Sequence, residues 1–164
     1  MTDFDDNTLS QLATKVSQTL REHGHKLATA ESCTGGWIAK VMTDQAGSSD
    51  VFTDGFVTYS NAAKNARLGV LPALFDSDGA VSAAVVRAMA IGAMAASGSQ
   101  RAVAVSGIAG PGGGSPEKPV GTVWIGWAHA DGGTRAQCFL FDGDREQIRR
   151  ATVAAALQGV FDAA

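Results

Sequence analysis

The sequence predicts an α/β protein built as a three-layer α/β/α sandwich around a mixed parallel and antiparallel sheet. Three observations predict this fold class. Helix-like and strand-like segments alternate through most of the chain, which favours parallel strands joined by crossover helices. Asp131-Gly132-Gly133 separates two strand-like segments and indicates an antiparallel hairpin. An alanine- and methionine-rich segment is apolar on nearly every side, which is typical of a helix buried against a sheet or another subunit.

The first half of the chain holds an opening helix and two strand–helix units. Residues 8–23 carry apolar side chains at helical spacing, so we predict a helix there, capped by Asn7 and stopped by Gly24. The elements predicted after it are a strand (26–30), a turn (31–36), a helix (37–43), a strand (52–60) and a short helix (61–68).

The second half begins with a predicted loop, which Pro72 and residues 76–79 indicate. Ser82 is the expected N-cap of the alanine-rich helix. This helix is predicted over residues 83–97. It is followed by three predicted strands (101–105, 120–128 and 134–141) and a closing helix (144–161). No linker or internal repeat interrupts the pattern, so we expect one domain over residues 1–164.

Composition excludes several classes of function. The 164 residues are 45% hydrophobic and 18% charged, which fits a globular protein with a substantial core. The net charge is −3 and no basic run occurs, so nucleic acid is not an expected partner. No apolar run approaches the ~20 residues of a membrane span, and the acidic N-terminus does not resemble a signal peptide. Cys33 and Cys138 do not make a disulfide scaffold, and we expect a cytoplasmic protein.

A serine, a tyrosine and a lysine between residues 47 and 64 form the first candidate site. Serine needs an adjacent base to become a nucleophile, and lysine can be that base when burial lowers its pKa. The predicted catalytic residues are therefore Ser49, Tyr59 and Lys64, with Ser48 as the alternative nucleophile. The pattern leaves open whether Lys64 or Tyr59 takes the first proton. The competing interpretation is a capping serine, a core tyrosine and a solvated lysine.

Two turns and one arginine are candidates for substrate binding. Four glycines lie within residues 110–114, after a strand, where backbone N–H groups can approach an anion closely. This segment is neither a Walker loop nor a dinucleotide fingerprint, and a long hairpin-like connection is the alternative. The turn over residues 31–36 precedes a helix, whose free N–H groups favour an anion. Arg145 is suited to bidentate anion binding. The three histidines show no ligand spacing, so we predict no metal.

Taken in order, these motifs resemble the C-terminal domain of the competence/damage-inducible protein CinA, the family of nicotinamide-nucleotide amidases. The resemblance runs from about Leu9 to the last helix and so covers nearly the whole chain. The matching residues are 30–36, 47–49, 55, 57–61, 64, 79–82, 106–111 and 118–123. Several separated motifs in the same order make the resemblance specific.

The resemblance implies hydrolysis of the carboxamide of nicotinamide mononucleotide to nicotinate mononucleotide and ammonia. It also implies a homodimer or higher homo-oligomer that needs no metal or organic cofactor. On this reading Ser49 is the nucleophile, Lys64 and Tyr59 are base and relay, and backbone N–H groups near Ser49 or Ser106 hold the oxyanion. The implied substrate-binding residues are Glu31, Ser32, Thr34, Gly35, Ser106, Gly110, Gly112, Gly113 and Arg145.

Three other functions compete with this one. A short-chain dehydrogenase also uses serine, tyrosine and lysine, but its tyrosine and lysine lie four residues apart on one helix, whereas Tyr59 and Lys64 are five apart. The N-terminal glycine-rich cofactor loop of that class is also missing. The remaining alternatives are a non-catalytic nucleotide-binding module and an oligomerisation domain that uses the helix over residues 83–97.

Overall fold

Five strands form one mixed sheet in the computed structural model, which describes residues 4–163. The strands are β1 (Leu27–Glu31), β2 (Phe52–Val57), β3 (Arg101–Gly107), β4 (Thr122–His129) and β5 (Thr134–Leu140). Their order across the sheet is β2-β1-β3-β4-β5, with β1 parallel to both β2 and β3, and β4 antiparallel to β3 and β5. The predicted mixed sheet and hairpin are confirmed. The expected one-domain range 1–164 and the acidic N-terminus extend outside the described residues.

Residues 4–163 also contain six α-helices and a short 3₁₀ turn. The helices are α1 (Asp6–His23), α2 (Trp37–Thr43), α3 (Asn61–Leu68), α4 (Pro72–Ser77), α5 (Ala83–Ser97) and α6 (Arg145–Asp162), and the 3₁₀ turn is Ser48–Asp50. None of the helices described within residues 4–163 is both long and apolar enough to cross a bilayer.

The structure corrects several predicted boundaries, and the strand predicted over residues 52–60 ends at Val57. The N-cap of α1 is Asp5 rather than Asn7, because the Asp5 carboxylate accepts hydrogen bonds from the backbone N–H and the hydroxyl of Thr8. The predicted loop after α3 contains the short helix α4. Pro72 occupies the first turn of α4, where its missing N–H costs nothing, and Gly79 follows the end of the helix.

Helices cover both faces of the sheet, and alternate side chains of β3 show how. Val103 and Val105 point into the larger core, which α1, α2 and α6 close. Ala102 and Ala104 point to the opposite face and pack against α5. These small side chains allow α5 to lie close to the sheet, so the prediction that the alanine-rich helix is buried there is confirmed.

Close contact between α5 and the end of α3 depends on Gly92. A Cβ atom added at Gly92 would lie 2.0 Å from the carbonyl oxygen of Leu68, which is backbone and cannot rotate away. We therefore expect Gly92→Ala to lower the free energy of unfolding by about 2 kcal/mol, even though alanine is the better helix former. Denaturant titration measures this change.

Gly133→Ala is the matched control for this substitution. Gly133 lies in the β4–β5 hairpin with no atom within 4 Å of the added Cβ and with no positive φ. We expect its free energy of unfolding to match that of the wild type. Equal stability of the Gly92→Ala variant would contradict the close approach of α5 to α3.

Candidate active site

A cleft of about 270 Å³ opens at the carboxyl ends of β1, β2 and β3. The three strands are mutually parallel, so the loops that follow them converge at one edge of the sheet, where ligands bind in open α/β folds. The residues predicted from the sequence that line this cleft are Ser32, Tyr59, Lys64, Ser106, Gly110, Gly112, Gly113 and Arg145.

Ser32 and Lys64 are in direct contact at the floor of the cleft. Ser32 directly follows β1, and Lys64 lies in the first turn of α3. The Lys64 Nζ atom lies 3.0 Å from the Ser32 Oγ atom and donates a second hydrogen bond of 3.1 Å to the Tyr59 carbonyl oxygen. This separation is within the range for a serine nucleophile and its base. The Tyr59 carbonyl fixes one N–H of the amine, so that a neutral Lys64 can direct its lone pair at Ser32.

Burial prepares Lys64 to act as a base. Its side chain is only 1% exposed, and it forms no ion pair with any carboxylate of residues 4–163. Removal from water lowers the pKa of the Lys64 amine. The buried amine therefore gives up its proton more readily than a lysine in water.

The structure does not bring Ser49 to this site. Ser49 lies exposed in the 3₁₀ turn before β2, whereas Tyr59 and Lys64 follow that strand. The six residues of β2 separate the two ends of the sheet by about 17 Å. Ser48 lies in the same turn, so neither serine of the predicted pair reaches Lys64. Ser32, which the sequence predicted as a substrate-binding residue, is the serine whose hydroxyl contacts Lys64.

Tyr59 contributes its backbone to the site more directly than its phenol. The side chain is 64% exposed at the rim of the cleft, and its hydroxyl lies 3.5 Å from the Arg145 Nη2 atom. The predicted proton relay through this phenol is not formed, because the lysine contacts the Tyr59 carbonyl oxygen instead. A dehydrogenase-like pairing of phenol and lysine is absent for the same reason.

The glycine loop and Arg145 close the opposite side of the cleft. Arg145 is the first residue of α6, and its Nη1 atom donates a 2.7 Å hydrogen bond to the Gly110 carbonyl oxygen. Gly110 has a φ of +76°, and a Cβ there would lie 2.5 Å from Val120, so this turn requires glycine. Ser106 lies near the end of β3, buried, and also lines the cleft.

Three residues predicted to bind substrate lie behind the cleft. The Glu31 carboxylate is buried and accepts hydrogen bonds from the Thr34 hydroxyl and from the backbone N–H groups of Ile38 and Ala39. Burial raises the pKa of Glu31, and these hydrogen bonds oppose the rise. Gly35 lines a second surface pocket, beside Trp37, which is separate from the cleft. Glu31 and Thr34 therefore shape the turn after Ser32 from within the protein, whereas Gly35 is exposed.

Cys33 lies next to Ser32 and is not a competing nucleophile. Its thiol is buried, and burial raises its pKa to about 12, so the thiolate is not formed near neutral pH.

Within residues 4–163, no three His, Cys, Asp or Glu side chains are grouped so that they could hold a metal ion.

The family model described as the CinA C-terminal domain matches residues 9–163. This chain belongs to the CinA C-terminal domain family. Nicotinamide-nucleotide amidohydrolase PncC from Escherichia coli K12 is 55% identical over 155 residues, which cover 93% of each chain. The protein of the same name from Pseudomonas putida is 54% identical over 154 residues, covering 93% of this chain and 94% of its own.

Solved structures of CinA proteins share the fold. The competence/damage inducible protein CihA from Agrobacterium tumefaciens superposes with a TM-score of 0.92 at 43% identity, covering 99% of this chain and 98% of that chain. The resemblance predicted from the sequence and the predicted α/β fold class are thus both confirmed.

Two polar side chains of this CinA domain were missed by the sequence analysis. Asn61 lines the cleft at the start of α3, directly after the Ser60 N-cap, and the sequence analysis named it only among the residues that carry the resemblance. Arg149 binds the turn after Ser32 from the second turn of α6. No local pattern indicates Arg149, because its partners lie 116 and 115 residues earlier in the chain.

Proposed function

We propose that this protein is a serine amidohydrolase that converts nicotinamide mononucleotide to nicotinate mononucleotide and ammonia, with Ser32 as nucleophile and Lys64 as base. The observation that carries the proposal is the 3.0 Å contact between the Ser32 hydroxyl and the buried Lys64 amine inside an open cleft. The relatives named nicotinamide-nucleotide amidohydrolase, at 54–55% identity, support the choice of substrate.

The first half of the reaction forms an acyl-enzyme. The neutral Lys64 amine takes the Ser32 hydroxyl proton while Oγ attacks the carboxamide carbon of the substrate. The carbonyl π electrons move to oxygen and give a tetrahedral oxyanion. When the carbonyl re-forms, the C–N bond breaks, and the Lys64 ammonium returns its proton to the departing nitrogen as ammonia.

The second half hydrolyses the ester. A water molecule that enters the space left by ammonia loses a proton to Lys64 and attacks the same carbon. The C–Oγ bond then breaks, Ser32 recovers its proton from Lys64, and nicotinate mononucleotide is released. One lysine therefore serves as base and acid in both halves.

Ser106 is the side-chain donor that we assign to the developing oxyanion. It lies at the end of β3, beside the strand that leads to Ser32, and it lines the same cleft. A single donor at such a position is typically worth about 3 kcal/mol of transition-state stabilisation. Gly110, Gly112 and Gly113 line the same cleft.

Arg145 and the glycine loop form the proposed phosphate site. The Arg145 guanidinium is exposed at the rim, held by Gly110 on one side and by the Tyr59 hydroxyl on the other. Its planar donors match a phosphate, and the open backbone at Gly112 and Gly113 lets N–H groups approach the same anion.

The direct test is ammonia release from nicotinamide mononucleotide, compared with nicotinamide riboside, which lacks the phosphate. We expect the wild type to prefer the mononucleotide. We expect Arg145→Gln to raise KM for the mononucleotide about tenfold or more, because a charge-assisted pair to the phosphate is lost.

The riboside is the matched control for Arg145→Gln, and its kcat/KM should be nearly unchanged in this variant. An equal loss on both substrates would contradict the phosphate role of Arg145. If the wild type releases no ammonia from either compound, the amidohydrolase proposal fails. Saturable binding without turnover would then indicate a nucleotide-binding module.

A further inference from the structure

Arg149 is joined to the turn that carries the proposed nucleophile. Its Nε atom donates a 3.0 Å hydrogen bond to the Cys33 carbonyl oxygen, and its Nη2 atom donates another of 3.0 Å to the Thr34 carbonyl oxygen. These are the carbonyl groups of the two residues directly after Ser32. The planar guanidinium thus binds two consecutive peptide groups in a fixed relative orientation.

No carboxylate among residues 4–163 pairs with Arg149, although its neighbour Arg150 pairs with both Asp6 and Glu146. The half-buried charge of Arg149 is satisfied mainly by the two carbonyl dipoles, with the Trp37 ring 5.5 Å away. The contact with the turn is therefore the main polar interaction of this side chain. Replacing the arginine leaves those carbonyl oxygens without their donor.

The turn is shaped to admit the guanidinium. Gly35 has a φ of +61°, and a Cβ there would lie 3.2 Å from the Arg149 Nη2 atom. The Glu31 carboxylate holds the other side of the same turn through the Thr34 hydroxyl and the first backbone N–H groups of α2. Arg149 and Glu31 thus fix the segment after Ser32 from opposite sides.

We propose that Arg149 is a positioning residue that keeps the Ser32 hydroxyl within reach of Lys64 by holding the Cys33 and Thr34 carbonyl groups against α6. This inference rests on the proposed function. Arg149 does not line the cleft, so it acts through the turn rather than on the substrate. A displacement of about 1 Å at a reacting group can cost 100-fold in rate, which sets the expected scale.

Arg145, four residues earlier on α6, extends this role to the rest of the site. Arg145 contacts the Gly110 carbonyl and the Tyr59 hydroxyl, while Arg149 contacts the turn after β1. One face of α6 therefore joins the loops that follow β1, β2 and β3. Only the Arg149 contact reaches the nucleophile segment.

The test compares Arg149→Gln, Arg149→Lys and Arg150→Gln. For Arg149→Gln we expect kcat on nicotinamide mononucleotide to fall about 10- to 100-fold, with KM changed less than about twofold. Arg149→Lys keeps the charge but loses the planar fork, so it should recover only part of the rate. Arg150→Gln is the matched control, because Arg150 contacts Asp6 and Glu146 instead of the turn, and its kcat should be close to wild type.

A second readout separates positioning from stability. A small aryl sulfonyl fluoride, applied without substrate, forms a sulfonate ester with an activated serine hydroxyl and releases fluoride and a proton. Peptide mass spectrometry then gives the rate of modification at Ser32. We expect Arg149→Gln to slow this modification by about the same factor as kcat, and millimolar guanidinium to restore part of the activity of Arg149→Ala.

The outcomes separate this inference from the proposed function. If wild-type Ser32 is not modified and Ser32→Ala remains active, the assignment of Ser32 as the nucleophile in the proposed function fails. If wild-type Ser32 is modified but Arg149→Gln reacts at the wild-type rate and keeps its kcat, only the positioning role is overturned. A loss in Arg149→Gln that merely follows its melting temperature, together with no guanidinium rescue of Arg149→Ala, would also overturn it.

Discussion

Ser32→Ala should reduce the release of ammonia from nicotinamide mononucleotide by about 10⁴-fold or more. Removal of a serine nucleophile has effects of this size because the covalent route is lost, while binding and oxyanion stabilisation leave a small residual rate. The expected loss lies in kcat, and KM should change little, since Ser32 contributes a small hydroxyl to the floor of the cleft. Initial rates of ammonia formation measure both parameters.

Ser49→Ala is the matched control. Ser49 was the nucleophile predicted from the sequence, but it lies exposed before β2, at the opposite edge of the sheet from the cleft. We expect this variant to keep kcat within about twofold of wild type. Full activity of Ser32→Ala together with loss of activity in Ser49→Ala would reverse the assignment.

Lys64 substitutions have the second large expected effect. Lys64→Met removes the base, and Lys64→Arg replaces it with a group that stays protonated in proteins, so both should lower kcat by at least about 10³-fold. Arginine retains the positive charge, which makes it the informative comparison. High activity of Lys64→Arg would show that the charge, rather than proton transfer, is what the reaction needs.

The pH dependence of the wild type should follow from the same amine. Lys64 acts as a base only when neutral, so kcat/KM should be low when the amine is protonated and should rise as pH increases through its pKa. Burial lowers the pKa of Lys64, so this rise should occur below the 10.5 of an unperturbed lysine. The rising limb should be missing from the residual activity of Lys64→Met. A limb that persists unchanged in that variant would exclude Lys64 as its cause.

The order and type of most elements could be predicted because local patterns determine them. The alanine-rich composition of α5, the Asp131-Gly132-Gly133 turn and the Gly24 helix stop each act within a few residues. The short helix α4 was missed because Pro72 and the polar residues near its end also occur in loops. The alternation of helices and strands predicted a partly parallel sheet, whereas the position of β1 between β2 and β3 was not predicted.

The structure places Ser49 away from Lys64 for a reason that the predicted topology already contained. Ser49 precedes β2 and Tyr59 follows it, so the two lie at opposite edges of any sheet that includes this strand. Ser32 follows the parallel neighbour β1, and such positions share an edge with Tyr59 and Lys64. The prediction grouped Ser49 with Tyr59 because they are close in sequence, and it did not take into account that β2 separates them.

Other features of the site could not be predicted from local sequence. The Arg149 contact joins residues more than one hundred positions apart, and the burial of Lys64 depends on packing of α3 against the rest of the fold. Glu31 was expected in the cleft, but its carboxylate turns inward to the first N–H groups of α2. The phosphate role of Arg145 remains a prediction that the Arg145→Gln variant tests, and the oxyanion role of Ser106 remains a prediction.

The most direct test is to identify the serine that carries the acyl group during turnover. The enzyme is mixed with nicotinamide mononucleotide, quenched in acid within the first turnovers, and its peptides are analysed by mass spectrometry. We predict an ester of nicotinate mononucleotide on the peptide that contains Ser32, and none in the Ser32→Ala variant. An ester on the peptide that contains Ser49, or turnover with no ester on any serine, would contradict the assignment of Ser32 as the nucleophile.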